Sequence, residues 1–296
     1  MKKTNLILLF LLGFSLLAFS QKRQIRVIAF GAHPDDCDSK FGGTAALFAQ
    51  MGYAVKFVAL TNGDAGHFEQ GGGVLGNRRR AEAKESGRRL GIEEYEVLDN
   101  HDAELMPTLA VRLQVIRRIR EWKADIVLGL RPNDYHPDHR NAGKLVQDAA
   151  YMVIVPNVAP DTPPLKKNPV FLYMQDRFKK PYPFSPDIVV AIEATIEKKV
   201  DGEDAHVSQF YEWMPWLDGK LDEVPKGKAE RRNWLAVRVK NHYSKVSPEM
   251  RKSLEKWYGP EKAAKVKYAE AFEIAEYGKQ PTDEEIRELF PMLGQR

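Results

Sequence analysis

Cysteine is nearly missing from this 296-residue chain: Cys37 stands alone, so no internal disulfide can form. A chain of this length buries a large core without covalent staples, which argues against a small disulfide-framed module. A dominant charge sign is missing as well, with 45 basic residues against 41 acidic ones. Such a balance gives no whole-molecule field for gripping nucleic acid or an anionic membrane, so no nucleic-acid partner is expected. Internal repeats and low-complexity tracts are absent, and long apolar runs are absent except one. That run, Leu6 to Phe19, follows Met1-Lys2-Lys3 and ends in Ala18-Phe19-Ser20, the small-x-small spacing of a cleavage site. Residues 1–20 therefore read as a signal peptide, too short for a comfortable membrane span. An uncleaved anchor is the alternative; the lack of Cys at the cleavage point argues against a lipoprotein. Removing Lys2 and Lys3 leaves 43 basic and 41 acidic residues. The mature chain is expected outside the cytoplasm, periplasmic or extracellular, with no stable membrane span after cleavage.

What is present is an alternation of apolar runs with helical patterns. Gln24–Phe30 is β-branched and apolar and ends at Gly31; Ala54–Leu60, Tyr95–Leu98 and Ala124–Leu130 read as further strands. Between them Thr44–Met51, with Gly52 behind it, Arg78–Leu90 closed by Gly91, Leu109–Trp122 and Asn141–Val153 read as helices. This spacing predicts an α/β fold, a mostly parallel sheet with helices on both faces whose ligands bind beyond the carboxyl ends of the strands. Proline crowds residues 156–186, so most of that stretch must be extended or looped, with short strands at 171–174 and 188–192 and a helix from Glu193. From residue 203 onward, four tryptophans lie amid charged helical segments.

Two acid-and-histidine clusters follow apolar runs: His33-Pro34-Asp35-Asp36 and His136-Pro137-Asp138-His139. Imidazole and carboxylate are the ligand types that hold zinc with one position open for water. In the first cluster His33 and Asp36 lie three residues apart around a stiffened turn and can face one cation, while Asp35 between them could take a proton. In the second, one imidazole can ligate while the other faces substrate, and Asp138 could orient an imidazole or raise its pKa. Each cluster alone also fits a capped helix start or surface turn, because Asp and Pro are common in both. Two of them on one sheet edge favour a metal site.

These residues resemble a known family. Ala32-His33-Pro34-Asp35-Asp36 matches the AHPDD, and His136-Pro137-Asp138-His139 the HPDH, of the LmbE-like (PIG-L) family of zinc-dependent N-deacetylases. That family includes N-acetylglucosaminyl-phosphatidylinositol de-N-acetylases and the deacetylases of mycothiol and bacillithiol biosynthesis. Thr61-Asn62-Gly63-Asp64-Ala65-Gly66 resembles its TNGEAG loop, Arg79, Glu82 and Leu90-Gly91 its R-x-x-E…LG helix, and His206-Val207-Ser208-Gln209 its H-x-S-Q stretch. The resemblance implies a Rossmann-like sheet and one Zn2+ per protomer on His33, Asp36 and His139. It implies Asp35 as general base and His136 as oxyanion stabiliser, with Asp138 keeping His136 charged; either Asp35 or His136 could protonate the leaving amine. Asn62, Arg79 and His206 become the substrate-binding candidates.

The chain departs from the family where Cys37-Asp38 follows AHPDD in place of Glu, and where Asp64 replaces Glu in the second loop. Cys37 reads as a small packing residue rather than an extra ligand, and the Asp64 shortening puts substrate contact there in doubt. Gly71-Gly72-Gly73 reads as a mobile flap. Phe210, Tyr211, Trp213 and Trp216 fit core packing better than a sugar platform. The sequence thus predicts a signal peptide at 1–20, a deacetylase domain at 21–210 and a helical C-terminal extension at 211–296 packed on the same domain. The expected activity is removal of acetyl from an N-acetylated amine, on a small-molecule or glycan substrate, with an N-acetylglucosamine glycoconjugate foremost. Hydrolysis of another amide or ester, or noncatalytic carbohydrate binding, are the alternatives.

Overall fold

A computed structural model describes residues 24–294; the signal-peptide reading of residues 1–20 lies outside them. The chain opens with β1 (Arg26–Gly31), α1 (Asp36–Gln50), β2 (Ala54–Thr61), α2 (Gly72–Leu90) and β3 (Glu94–Asn100). It continues through α3 (Leu109–Trp122), β4 (Ile126–Gly129), α4 (Pro137–Met152), β5 (Val170–Met174), β6 (Ile188–Ala191) and α5 (Ile196–Ala205). A π-helical turn at Ser208–Trp213 leads into α6 (Met214–Leu217), α7 (Lys228–Tyr243), α8 (Pro248–Tyr258) and α9 (Pro260–Lys265). The chain closes with β7 (Ala269–Gly278) and α10 (Asp283–Leu289).

Seven strands form one sheet in the order β3-β2-β1-β4-β5-β7-β6. The first five pair in parallel, and β7 runs against both of its neighbours. Every residue of β2 and of β4 is buried, the continuous apolar character of strands covered on both faces. The chain steps outward from β1 to β3 and then crosses back to β4. Right-handed crossovers therefore place α1 and α2 on one face and α3 and α4 on the other, and α1 packs with α2 and α5 while α3 packs with α4. β1 lies between β2 and β4, so the strand order reverses beside it, and the carboxyl ends of β1 and β4 open on the crevice where such folds bind ligands.

Three helices begin earlier than the sequence pattern suggests. α1 starts at Asp36 rather than Thr44, α2 at Gly72 rather than Arg78, and α4 at Pro137 rather than Asn141. Their first turns carry glycine, aspartate or proline, residues whose propensity argues for loops but which packing or a favourable N1 position accommodates. Gly72 and Gly73 thus open α2 and do not form a flap. The extension after residue 210 is helical as expected except for β7, which enters the sheet between β5 and β6. Its sequence AEAFEIAEYG is rich in Ala and Glu, good helix formers, and burial in the sheet overrides that preference.

Candidate metal centre

β1 ends at Gly31, and the chain turns over Ala32–Asp35 into the first turn of α1. The turn is held by Asp36, whose Oδ2 accepts the backbone N–H groups of Ala32 and His33, both at 2.9 Å. A Cβ on Gly31 would stand 2.7 Å from the Asp36 Cβ, so only glycine permits this close return. The β4 end delivers the second cluster: Pro137 takes the first helical position of α4, and His136 caps the helix, its Nδ1 accepting the Asp138 N–H at 3.2 Å. This cluster thus forms a capped helix start, with His136 as the cap.

His33, Asp36 and His139 are buried, and one ligand atom from each lies within 4.8 Å of the others. His33 Nδ1 is 3.2 Å from His139 Nε2 and 3.7 Å from Asp36 Oδ2, while His139 Nε2 is 3.3 Å from Asp36 Oδ1. The far nitrogens face carboxylates. His33 Nε2 lies 2.9 Å from Asp102 Oδ1 and 3.2 Å from Asp138 Oδ2, and His139 Nδ1 lies 3.0 Å from Asp134 Oδ1. A carboxylate on the outer nitrogen fixes an imidazole's tautomer and orientation and raises its basicity as a ligand. Asp134 and Asp102 escaped the sequence reading. Asp134 lies two residues before His136; Asp102 had no motif signal beyond its place just past a strand end.

The field at this point favours positive charge. Burial opposes a proton on His33, yet Asp102 and Asp138 push its pKa up to about 10. Asp36 is also buried, and His139 and His33 hold it at about 2. An electrostatic environment that stabilises a proton on His33 equally suits a divalent cation, and the donor set of two imidazoles and one carboxylate fits zinc.

Asp35 is buried beside this cluster, with Oδ1 accepting Arg79 Nη2 at 3.2 Å. Burial raises its pKa above the ordinary carboxylate value, against the opposing pull of Arg79. His136 is lowered by burial and by neighbouring His33 and His139. Because its Nδ1 accepts a backbone N–H, the imidazole is neutral here with its proton on Nε2. Asp138 raises the His136 pKa, as the sequence reading expected, but burial and the two neighbouring imidazoles outweigh it; the Asp138 carboxylate is fully buried and accepts Ala103 N at 2.7 Å and Leu105 N at 3.2 Å while facing His33.

The three residues read as substrate contacts are engaged by the protein itself. Arg79, 2% exposed, donates to Gly63 O at 3.1 Å as well as to Asp35, and its Nη1 lies 3.6 Å from Asp102 Oδ2. A guanidinium buried in this way positions carboxylates. Asn62 Nδ2 donates to Asp99 and its Oδ1 accepts Asp64 N, which shapes the loop after β2. His206 is fully buried, with Nε2 3.2 Å from Asp38 Oδ2 as an ion-pair contact, so it packs in the interior and does not line the site. Asp64 accepts His101 Nδ1 and Asp102 N, so the shorter side chain ties two rim loops together. Cys37 is 1% exposed and its thiol is pushed up by burial, as a packing residue requires. Tyr211 is likewise buried, whereas Trp216 is 45% exposed in a stack with Phe68 and Trp213.

Residues 28–150 match the family PIG-L, described as GlcNAc-PI de-N-acetylase. The diacetylchitobiose deacetylase of Thermococcus kodakarensis is 32% identical over 202 residues, covering 65% of this chain and 74% of that protein. A probable N-acetyl-alpha-D-glucosaminyl L-malate deacetylase of Bacillus anthracis is 25% identical, covering 72% of this chain and 93% of that one. Among solved structures, N,N'-diacetylchitobiose deacetylase from Pyrococcus horikoshii superposes with a TM-score of 0.63 at 25% identity, over 84% of this chain and 83% of its own. With the two motif clusters converging where the strand order reverses, this chain belongs to the PIG-L (LmbE-like) family.

Proposed function

We propose that this protein is an N-deacetylase that hydrolyses the acetamide of an N-acetylated amino sugar, with one Zn2+ held by His33, Asp36 and His139. The observation that carries the reading is the buried three-donor cluster with the Asp35 carboxylate beside it. When bound, the metal polarises the acetamide carbonyl and acidifies water. Asp35, whose burial gives it more affinity for a proton than an exposed carboxylate has, accepts the proton from the attacking water. Arg79 holds Asp35 from the protein side, so the carboxylate stays at one place as its charge changes. His136 donates from Nε2 to the oxygen on which negative charge develops, and the backbone contact at its Nδ1 fixes that direction. The protonated Asp35 then returns the proton to the leaving amine, since a neutral His136 is the weaker proton source.

The relatives named as a deacetylase of diacetylchitobiose and a probable deacetylase of N-acetyl-alpha-D-glucosaminyl L-malate point to N-acetylglucosamine units as the substrate class. The apolar run before residue 20 supports placing this chemistry outside the cytoplasm, where glycans of the cell envelope or of foreign polysaccharide occur. Zinc-loaded protein offered N-acetylglucosamine monomers, short chito-oligomers and glucosaminyl conjugates is expected to release free amine from at least one class. No release from any of them, or full activity after complete metal removal by a chelator, would overturn the reading. Cell fractionation with an antibody to the mature chain tests the location, and recovery only from cytosol would refute export.

A further inference from the structure

Beneath the metal cluster lies a second group of charges that the reaction does not use. Lys199 of α5 and Glu270 of β7 are both fully buried and pair at 2.9 Å, and both reach into α1, the helix whose start carries Asp35 and Asp36. Lys199 Nζ donates to the carbonyls of Asp38 at 2.7 Å and Ser39 at 2.8 Å. Glu270 accepts the N–H groups of Gly43 at 2.9 Å and Thr44 at 2.7 Å. The ion pair therefore spans one turn of α1 and binds peptide groups that a helix ordinarily pairs with itself, Ser39 O and Gly43 N among them. Gly43 lets α1 pack closely here, since a Cβ on it would stand 2.9 Å from Ile192. The Asp38 side chain is gripped in parallel by Ser86, Tyr95 and His206.

A buried ion pair is a poor way to stabilise a fold, because desolvation offsets its attraction and apolar residues of like volume often do as well or better. What the pair does supply is direction. Four charge-assisted hydrogen bonds to the backbone fix the rotation and axial position of α1 relative to the sheet, which packing of small residues alone leaves loose. We propose that Lys199 and Glu270 are positioning residues that hold the Asp35 and Asp36 carboxylates in register with His139. The inference rests on the roles proposed for Asp35 and Asp36. It assigns a task in the catalytic centre to the C-terminal strand, which lies outside the segment matching the family.

The test compares Lys199→Met/Glu270→Leu and Lys199→Met/Glu270→Gln with wild type, both variants also carrying Glu203→Gln, since removing one partner alone leaves a buried charge and Glu203, 3.5 Å from Lys199, would be another. The apolar pair is expected to melt no lower than wild type, while kcat falls tenfold or more with KM within about twofold, as for small displacements of reacting groups. The Gln variant, which keeps an acceptor for Gly43 or Thr44, is expected to regain at least threefold of that loss. Hydrogen exchange across residues 36–44, which needs neither metal nor substrate, is expected to quicken in the apolar variant while other helices stay protected. Failure of wild type to deacetylate anything would refute the proposed function and leave the exchange result to judge this inference. Unchanged exchange in α1, wild-type kcat in the apolar variant, or a lowered melting temperature that explains the loss, would each overturn the positioning role.

Discussion

At the scale of single residues, the chemistry depends on carboxylates whose surroundings differ more than their sequence positions do. Asp35 and Asp36 are adjacent, yet burial raises one and the imidazoles beside the other hold it at about 2. Asp35→Asn is expected to retain zinc and fold while kcat drops on the order of 10³-fold, the loss of a base and not of a ligand; metal analysis beside steady-state kinetics checks it, and parallel loss of zinc would make Asp35 a ligand. Asp102→Asn is expected to weaken zinc binding about 10- to 100-fold, the usual cost of disturbing the partner of a ligating histidine, as read by chelator competition. Away from the centre, Glu203 on α5 has a carboxyl pushed up to about 7 by burial, against a value of 4.5 in the unfolded chain. Between those pH values the native state binds more protons than the unfolded one, so stability falls as pH rises through that window and stays lost above it. Glu203→Gln removes the penalty, and relative to wild type it should gain about 3 kcal/mol at pH 8 but little at pH 4. Denaturant melts at the two pH values decide this, and an equal difference at both would contradict it.

At the scale of elements, the site is a meeting of helix starts. α1 presents Asp36 in its first turn, α4 presents His139 in its own, and each N-terminus adds partial positive charge where carboxylates gather. α4 approaches the end of β4 so closely that a Cβ at Gly143 would stand 2.6 Å from Leu130 O and 2.9 Å from the Arg131 carbonyl carbon. Backbone cannot yield as a side chain can. Gly143→Ala is therefore expected to shift α4, with His139 one turn upstream, costing about 1–3 kcal/mol of stability and at least tenfold in kcat; thermal melts and kinetics would show both. The sequence located these helices by their apolar spacing but began three of them late, since the glycines, proline and acids that serve the site are poor helix formers. It also left the loop residue Asp102 unremarked, because that carboxylate meets His33 only when the loop after β3 folds over the end of β1.

At the scale of the whole molecule, β7 makes the tail part of the sheet and not an appendage. It supplies both hydrogen-bonded edges that join β6 to β5, and Phe272 from it is fully buried. Ending the chain at residue 265 should leave β6 without a neighbour and the core open, giving insoluble or molten protein by circular dichroism and dye binding; a soluble, cooperatively melting truncation would refute this. No helix among the described residues is long and apolar enough to cross a membrane. The sequence by itself determined the α/β alternation and located the two clusters that the fold brings together, with His33, Asp36 and His139 as the proposed metal ligands and Asp35 as the proposed base. The alternation and the clusters are written in local spacing, in strand runs, proline-stiffened turns and acid–histidine pairs three residues apart, while the choice of ligands rests on the family resemblance. The tertiary structure alone decided that Arg79 and His206 face inward, that Asp138 serves His33, that Asp102 and Asp134 back the imidazoles, and that β7 joins the sheet to place Glu270 against α1. Each of these is a contact between distant segments, set by which face of a helix or strand packs inward, and no periodicity within one segment encodes its partner.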